Sequence, residues 1–176
     1  MHIEEAFRYN ETDDCLSVEL PYAGNKMSML IVMPKADYVS FESGFSRASL
    51  DAIASELKPA QISLSLPKFN IEYGIDELIS KLESMGMIDA FDPFAADFSG
   101  ITGGRDLYIS DVLHKAVITV DETGTEAAAT TVVVFTETAV EPAVPVAVDK
   151  PFLFFIRDSE TGAILFMGRV LDPRGD

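Results

Sequence analysis

The chain has little of what metal, redox and phosphate sites need. Its 176 residues include two histidines and one cysteine, Cys15, and they include no tryptophan. A single cysteine excludes an internal disulfide, and this set contains too few soft ligands for a zinc site. Asp13-Asp14 lacks the spacing of a calcium loop, and Thr102-Gly-Gly104-Arg lacks the Lys-Ser/Thr of a phosphate loop. We therefore expect no metal and no cofactor.

Basic residues are also scarce. Thirteen Lys and Arg stand against 29 Asp and Glu, which gives a formal net charge of −16. This charge repels phosphate backbones and anionic lipid, so we expect neither nucleic acid nor membrane as a partner. No apolar run approaches the ~20 residues that span a bilayer, and Met1-His-Ile-Glu-Glu lacks the pattern of a signal peptide.

A catalytic triad is the next candidate to be excluded. Ser110, Asp111 and His114 supply the three residue types of a hydrolase. They fall within one expected strand, where their side chains would point in different directions, whereas a triad is defined by convergent geometry. We therefore expect that the protein is not an enzyme.

Hydrophobic periodicity predicts an α+β fold with long antiparallel strands and a few short helices. Turn residues Gly24-Asn25 separate the first two strands. In the first helical region Ser49 is the expected cap. In the second helix Asp76 and Glu77 are expected in the first turn and Gly86 near the end. Strands are expected at 16–21, 27–33, 61–73, 107–120, 152–157 and 163–170. One or two short helices are expected within 41–57 and another from Ile75 to Leu82, with a loop at 91–106.

Residues 119–135 carry the most functional information. Gly124 can act as a backbone pivot, and three small alanines follow it. In extended conformation one face would show Thr125, Ala127, Ala129, Thr131, Val133 and Phe135, while Glu126 would stay in solvent on the other face. The segment therefore suits both an exposed, movable loop and an inserted strand. A hairpin arm with a glycine bulge is the alternative interpretation.

Five sequence blocks in one order resemble the serpin family of serine protease inhibitors. They are Leu66-Pro-Lys68-Phe, Asp97-Phe-Ser-Gly-Ile, the run from Ser110 to Ala129, Lys150-Pro-Phe and Phe166-Met-Gly-Arg-Val. The resemblance covers nearly the whole chain but only the C-terminal half of the family's usual length. It implies that residues 1–176 are the C-terminal portion of a single serpin domain, truncated so that the N-terminal half is absent.

The resemblance also implies roles for individual residues. Residues 122–149 would form the hinge and the mobile reactive loop. Lys68 and Glu122 match the pair at the breach, where the loop first enters the main sheet, and His114 matches the histidine of the shutter below it. The hinge residues would be Glu122, Gly124, Thr125, Glu126, Ala127, Ala128, Ala129 and Thr130.

The function implied is that of a suicide inhibitor of serine endopeptidases. By the family's spacing the reactive bond is Thr138-Ala139, although the register could slip to Val140. Small and β-branched residues there suit elastase- or subtilisin-like proteases, and the absence of Lys and Arg disfavours trypsin-like ones. The expected partner is a serine protease, held covalently by a full-length version.

The missing half leaves a second function class open. A fragment of this kind could act only as a protease substrate, or as a strand-pairing module that binds the absent N-terminal half or itself. The family resemblance suggests an extracellular location. Asn10-Glu-Thr12 fits a glycosylation sequon, which matters only in a secreted eukaryotic protein.

Overall fold

The computed structural model describes residues 1–75, 77–121 and 142–173. In chain order the strands and helices are β1 His2–Glu11, β2 Cys15–Pro21, β3 Met27–Pro34, α1 Tyr38–Gly44, α2 Arg47–Glu56, β4 Lys58–Ser65, β5 Phe69–Ile75, α3 Leu78–Ser84, a 3-10 turn Asp89–Phe91, α4 Ser99–Thr102, β6 His114–Val120, β7 Val144–Ala147, β8 Phe152–Asp158 and β9 Ile164–Val170. Extensive sheet with few, short helices confirms the predicted α+β class.

The chain divides into two compact units. The first unit comprises Met1–Phe69 and Val120–Asp176, and the second comprises Asn70–Thr119. The first unit contains a seven-stranded sheet with strand order β7-β4-β1-β2-β3-β8-β9, and β5 pairs with β6 in a separate two-stranded sheet. The segment predicted as hinge and reactive loop, 122–149, therefore follows β6 of the two-stranded sheet in the sequence and includes β7 of the seven-stranded sheet.

The seven-stranded sheet is antiparallel except at one edge. β1 pairs with β4 from His2↔Ser65 to Tyr9↔Lys58, and β2 pairs with β3 from Cys15↔Pro34 to Pro21↔Ser28. At the edge, β7 runs parallel to β4. The β2–β3 hairpin turns at Gly24 and Asn25, whose φ angles of 83° and 55° lie in the left-handed region. The turn predicted from this dipeptide is confirmed.

Helix α2 covers one face of this sheet. Leu50 and Ala54 of α2 pack against a cluster of side chains from neighbouring strands, namely Cys15, Leu30, Val32, Leu153 and Phe155. Alternate residues of a strand share a face, so Leu30 and Val32 of β3 point toward the helix. Ile31 between them is also fully buried, and burial on both sides explains why β3 is an almost unbroken apolar run.

Several predicted boundaries need correction. The region predicted at 41–57 as one or two helices is two, but the first of them begins earlier, at Tyr38. Helix α2 is capped by Ser46, whose hydroxyl accepts the Ser49 backbone N–H. The prediction of Ser49 as the cap was wrong. Ser49 is the third residue of the helix, and its hydroxyl accepts the Ser46 backbone N–H to complete the capping box. The predicted strand 61–73 is two strands, because Pro67 in the break lacks a backbone donor.

The second unit departs further from the prediction. The strand expected at 107–120 begins only at His114, and the loop at 91–106 contains α4. Helix α3 begins at Leu78 with Glu77 as its N-cap, so the prediction of Glu77 in the first turn was wrong. Asp76 lies outside the described residues. Gly86, with φ 102°, follows α3 at the expected end.

Candidate functional site

The residues assigned to the hinge and reactive bond lie outside the part of the chain that the structure describes. These are Glu122, Gly124, Thr125, Glu126, Ala127, Ala128, Ala129, Thr130, Thr138 and Ala139. Their roles stay predictions. The structure does define the two strands next to them in the sequence, β6 on the N-terminal side and β7 on the C-terminal side.

Strand β7 fixes the C-terminal side of the segment to the large sheet. Its register with β4 runs from Ile62↔Val144 to Ser65↔Ala147. Val146 and Val148 are buried, and the Val148 backbone N–H donates to Ser65 O at 2.9 Å. This side of the loop is therefore tied to the sheet by backbone hydrogen bonds and by apolar burial.

Strand β6 pairs only with β5 among the described residues. Across the pair, Thr119 Oγ1 donates to Asn70 Oδ1 at 3.2 Å, and Lys115 forms a salt bridge with Glu72. Ala116, Ile118 and Val120 are half-buried, whereas the odd-numbered residues between them are exposed. One face of β6 is thus more buried than the other, and one of its edges has no strand beside it in the described part of the chain.

The two described residues of the predicted shutter and breach are exposed. His114 is the first residue of β6, and Lys68 lies in the link between β4 and β5. Ser110 and Asp111 precede β6, and the Asp111 carboxylate accepts the Val112 backbone N–H at 2.8 Å. Placing these residues in one strand with His114 was therefore wrong. The shutter and breach roles remain predictions.

Three of the family-like blocks meet in one aromatic cluster of the first unit. The ring of Phe69 lies 5.8 Å from that of Phe152 and 5.7 Å from that of Phe154. Beneath Phe154, a Cβ on Gly168 would fall 2.5 Å from the ring. The blocks at 66–69, 150–152 and 166–170 therefore supply parts of a single packing arrangement, in which only glycine fits at position 168.

A fourth block forms a local turn in the second unit. The Asp97 carboxylate accepts the Ser99 backbone N–H at 3.1 Å and lies 2.6 Å from Arg105. The hydrogen bonds from Ser99, and after them the interaction with Arg105, lower the pKa of Asp97 below its ordinary value. The block shapes the start of α4, and no group of three metal-ligating side chains is found in the described parts of the chain.

Sequence reasoning missed a buried ion-pair network. Glu19 accepts hydrogen bonds from Arg8 at 2.6 Å, Ser28 at 2.8 Å and Arg157 at 3.1 Å. Arg8 also donates to Ala54 O and Leu57 O at the end of α2. The available signal was a lone acidic residue within the strand Cys15–Pro21, since a carboxylate in a buried strand needs partners.

This arrangement of sheets and sequence blocks matches one known family. The family model for serpins, the serine protease inhibitors, matches residues 1–173. The chain belongs to the serpin family, which confirms the resemblance drawn from the five sequence blocks.

Particular relatives extend the match. The chain is 44% identical to a serpin-like protein of Thermococcus kodakarensis over 99% of this chain and 41% of that protein. It is 36% identical to leukocyte elastase inhibitor of Homo sapiens, over 98% of this chain and 48% of that protein. It is 40% identical to intracellular coagulation inhibitor 1 of Tachypleus tridentatus, over 87% of this chain and 37% of that protein.

A solved structure shares the fold. The structure of native protease nexin-1 with heparin superposes with a TM-score of 0.78 at 34% identity, covering 98% of this chain and 46% of that one. The chain thus spans less than half the length of these relatives. One relative is named an intracellular inhibitor, so the comparisons do not support the extracellular expectation. In the described residues no helix is long and apolar enough to cross a membrane.

Proposed function

We propose that this chain supplies the reactive loop of a suicide inhibitor of serine endopeptidases, with a loop suited to elastase- or subtilisin-like enzymes. The observation that carries the proposal is the serpin match over residues 1–173, which includes the whole segment between β6 and β7. One relative is named for elastase inhibition and another for coagulation inhibition. The serpin family is generally inhibitory, which agrees with the expectation of no enzymatic activity.

The inhibitory step would be a race between two reactions. The protease serine attacks the carbonyl carbon of Thr138, the Thr138–Ala139 peptide bond breaks, and an acyl-enzyme ester forms while Ala139 leaves with the new amino terminus. Water would hydrolyse this ester unless the cut loop first inserts as a strand. Around ten residues extended at ~3.3 Å each carry the enzyme tens of Å.

In this proposal the cut loop inserts as a new strand beside β6. The chain passes from β6 directly into the predicted hinge, and no strand within residues 1–75, 77–121 and 142–173 pairs with the edge of β6 away from β5. A strand added there would bury Thr125, Ala127 and Ala129 on one face and leave Glu126 on the other. Small, uncharged side chains on the buried face keep insertion fast, because no charge loses its water.

The loop composition supports the choice of protease. Residues around the predicted bond are Glu137, Thr138, Ala139 and Val140, and no Lys or Arg occurs from 122 to 149. Shallow specificity pockets accept small side chains, whereas a trypsin-like pocket requires a basic one. Lys68, Glu122 and His114 are proposed to hold the top and centre of the main sheet in this mechanism.

The test compares an inward with an outward charge in a version that carries the family's N-terminal half. Thr125→Arg should abolish the covalent complex with an elastase-like protease on a denaturing gel, while cleavage continues at its original rate. Glu126→Arg is the matched control, and it should leave complex formation unchanged because its side chain stays in solvent. Equal complex with Thr125→Arg would overturn the insertion mechanism, and mass analysis of the products would locate the bond.

A second candidate is a non-inhibitory strand-pairing module. Apolar side chains exposed in the second unit favour it, including Phe94 at 98% and Leu113 at 87% exposure. Such a module would be cleaved by the protease without forming a covalent complex. It would instead form oligomers, or a defined complex with the family's N-terminal half, which light scattering would detect.

A further inference from the structure

A cavity of about 450 Å³ in the first unit has no role in the inhibitory mechanism. It lies between the first two helices and the N-terminal end of β2, and this volume falls in the usual range for small-molecule sites. Its walls include Asp14, Ser17, Phe41, Phe45, Ile53 and Glu56. Every one of these residues belongs to the described part of the chain.

The cavity is negative at its mouth. Asp14 and Glu56 are exposed, whereas Cys15 and Ser17 are buried. No lysine or arginine lines the cavity. Asn10 Nδ2 donates to Glu56 Oε2 at 3.2 Å, which holds that carboxylate without neutralising it. The mouth therefore attracts a cation, and the net charge of −16 adds to the attraction.

The wall is aromatic and apolar. The rings of Phe41 and Phe45 lie 5.5 Å apart, and Phe45 in turn stacks on Phe155 at 5.6 Å. Packing of this kind fixes the ring positions, and Ile53 extends the same surface. Such a wall suits the body of an aryl-alkyl ligand, and the ring faces also favour an ammonium group nearby.

The floor has a buried hydroxyl with little to bond. Ser17 is 2% exposed, and the contact shown for its Oγ is the Cys15 sulfur at 3.8 Å. Sulfur is a weak partner, so the hydroxyl keeps capacity for an N–H or O–H donor. Thr12, by contrast, already donates to Cys15 O and accepts two backbone N–H groups. Ser17 is therefore the polar group available to a ligand at the floor.

We propose that this cavity binds a small aryl-alkyl amine with a hydroxyl group at its far end. The ammonium group lies at the mouth with Asp14 and Glu56, the ring packs against Phe41 and Phe45, and the hydroxyl donates to Ser17 Oγ. A site of this kind selects by charge at one end and by hydrogen bonding at the other.

Three matched probes test the proposal on the purified protein by calorimetry and ligand-observed NMR. Tyramine carries both groups, tyrosol replaces the ammonium by a hydroxyl, and phenethylamine lacks the phenol. Tyramine should bind saturably at one site per chain, tyrosol about tenfold more weakly, and phenethylamine severalfold more weakly. Added salt should weaken the binding of tyramine and leave the binding of tyrosol unchanged, because the carboxylates at the mouth are exposed and their charges are screened.

Variants assign the two ends. Glu56→Gln should weaken the binding of tyramine but not that of tyrosol. Glu160→Gln, an exposed charge-matched control on the β8–β9 turn, should change the affinity for neither ligand. Ser17→Ala should lower tyramine to the affinity of phenethylamine. If that variant fails to fold, the ligand series and Glu56→Gln still decide. Equal binding of tyrosol and tyramine, or no saturable tyramine binding in the millimolar range, would overturn the proposal.

Discussion

The two units of this chain differ in what they bury. In the first unit, Leu30, Ile31, Val32, Ile62 and Phe152 are fully buried, and the central strands β2 and β3 are buried on both faces. In the described residues of the second unit, Ala96 is the only buried apolar side chain. Large apolar residues there are exposed instead. The first unit thus has a core of its own, and the second unit needs apolar contacts from outside itself.

This comparison bears on the proposed function. In the proposed mechanism the reactive loop is anchored at one end and free to enter a sheet at the other. The segment assigned to it leads into β7, on the seven-stranded sheet, and follows β6, which pairs with one strand among the described residues. The difference in burial is therefore consistent with the different roles that the proposed mechanism gives to the two strands.

Core truncation should give the largest contrast between the units. Leu30→Ala removes a fully buried side chain from β3 and should lower the free energy of unfolding by about 2–5 kcal/mol. Phe94→Ala removes a ring that is 98% exposed and should change it by less than about 0.5 kcal/mol. Urea denaturation followed by circular dichroism measures both. A comparable loss from Phe94→Ala would mean that the second unit has a core of its own.

Overpacking should give the next largest effect. Gly168→Ala would place a Cβ 2.5–2.8 Å from atoms of the buried Phe154 ring, so we expect a loss of about 1–3 kcal/mol. Gly44→Ala is the matched control in the same unit, because no atom lies within 4 Å of its added Cβ. That control should be neutral or slightly stabilising. Equal effects in thermal melts would contradict the aromatic cluster as the packing centre of the family-like blocks.

Removal of a helix cap should produce a smaller difference in stability between the two units. Ser46→Ala removes the hydroxyl that accepts the Ser49 backbone N–H, while the bond from the Ser46 backbone N–H to Ser49 Oγ can remain, and the variant should cost about 0.5–2 kcal/mol. Glu77 caps α3 in the second unit without a side-chain hydrogen bond, so Glu77→Ala should leave the main unfolding transition unchanged. If Glu77→Ala lowers the midpoint as much as Ser46→Ala does, the two helices contribute alike.

Much of the first unit could be predicted from sequence because its signals are local. Apolar runs bounded by turn residues gave β2, β3, β8 and β9 to within a residue or two. β1 was missed because its sequence His2–Glu11 mixes charges with apolar residues, and its place is set by pairing with β4. Such pairing is a long-range property that no local pattern carries.

The candidate site was predictable only in part, for a related reason. The serpin blocks identified the family, and three of them do meet at Phe69, Phe154 and Gly168. The network around Glu19 was missed because Arg8 and Arg157 are 149 residues apart in sequence and meet only through the sheet. The strand predicted over 107–113 was wrong: apolar residues such as Leu107 and Leu113 are exposed there, and this segment pairs with no strand of the part of the chain that the structure describes.

The smallest predicted effect concerns two similar carboxylates, one in each unit. Asp158 accepts the Thr161 backbone N–H at 2.7 Å, its hydroxyl at 2.7 Å and the Glu160 N–H at 3.2 Å, and these bonds lower the pKa of Asp158. Asp97 makes the analogous turn in the second unit. A carboxyl whose pKa is lower in the folded state stabilises that state above its unfolded pKa of about 3.9.

The contribution of Asp158 should therefore be constant near neutral pH and should disappear as the pH falls through its folded pKa. Asp158→Asn keeps an acceptor oxygen but loses the charge, so wild type and variant should differ in melting midpoint at pH 6 and converge in strong acid. Asp97→Asn should not move the main transition at either pH, because the turn it closes lies in the unit without a core. A pH-independent difference for Asp158→Asn would show that the turn depends on shape alone, and an equal shift from Asp97→Asn would show that the two units unfold together.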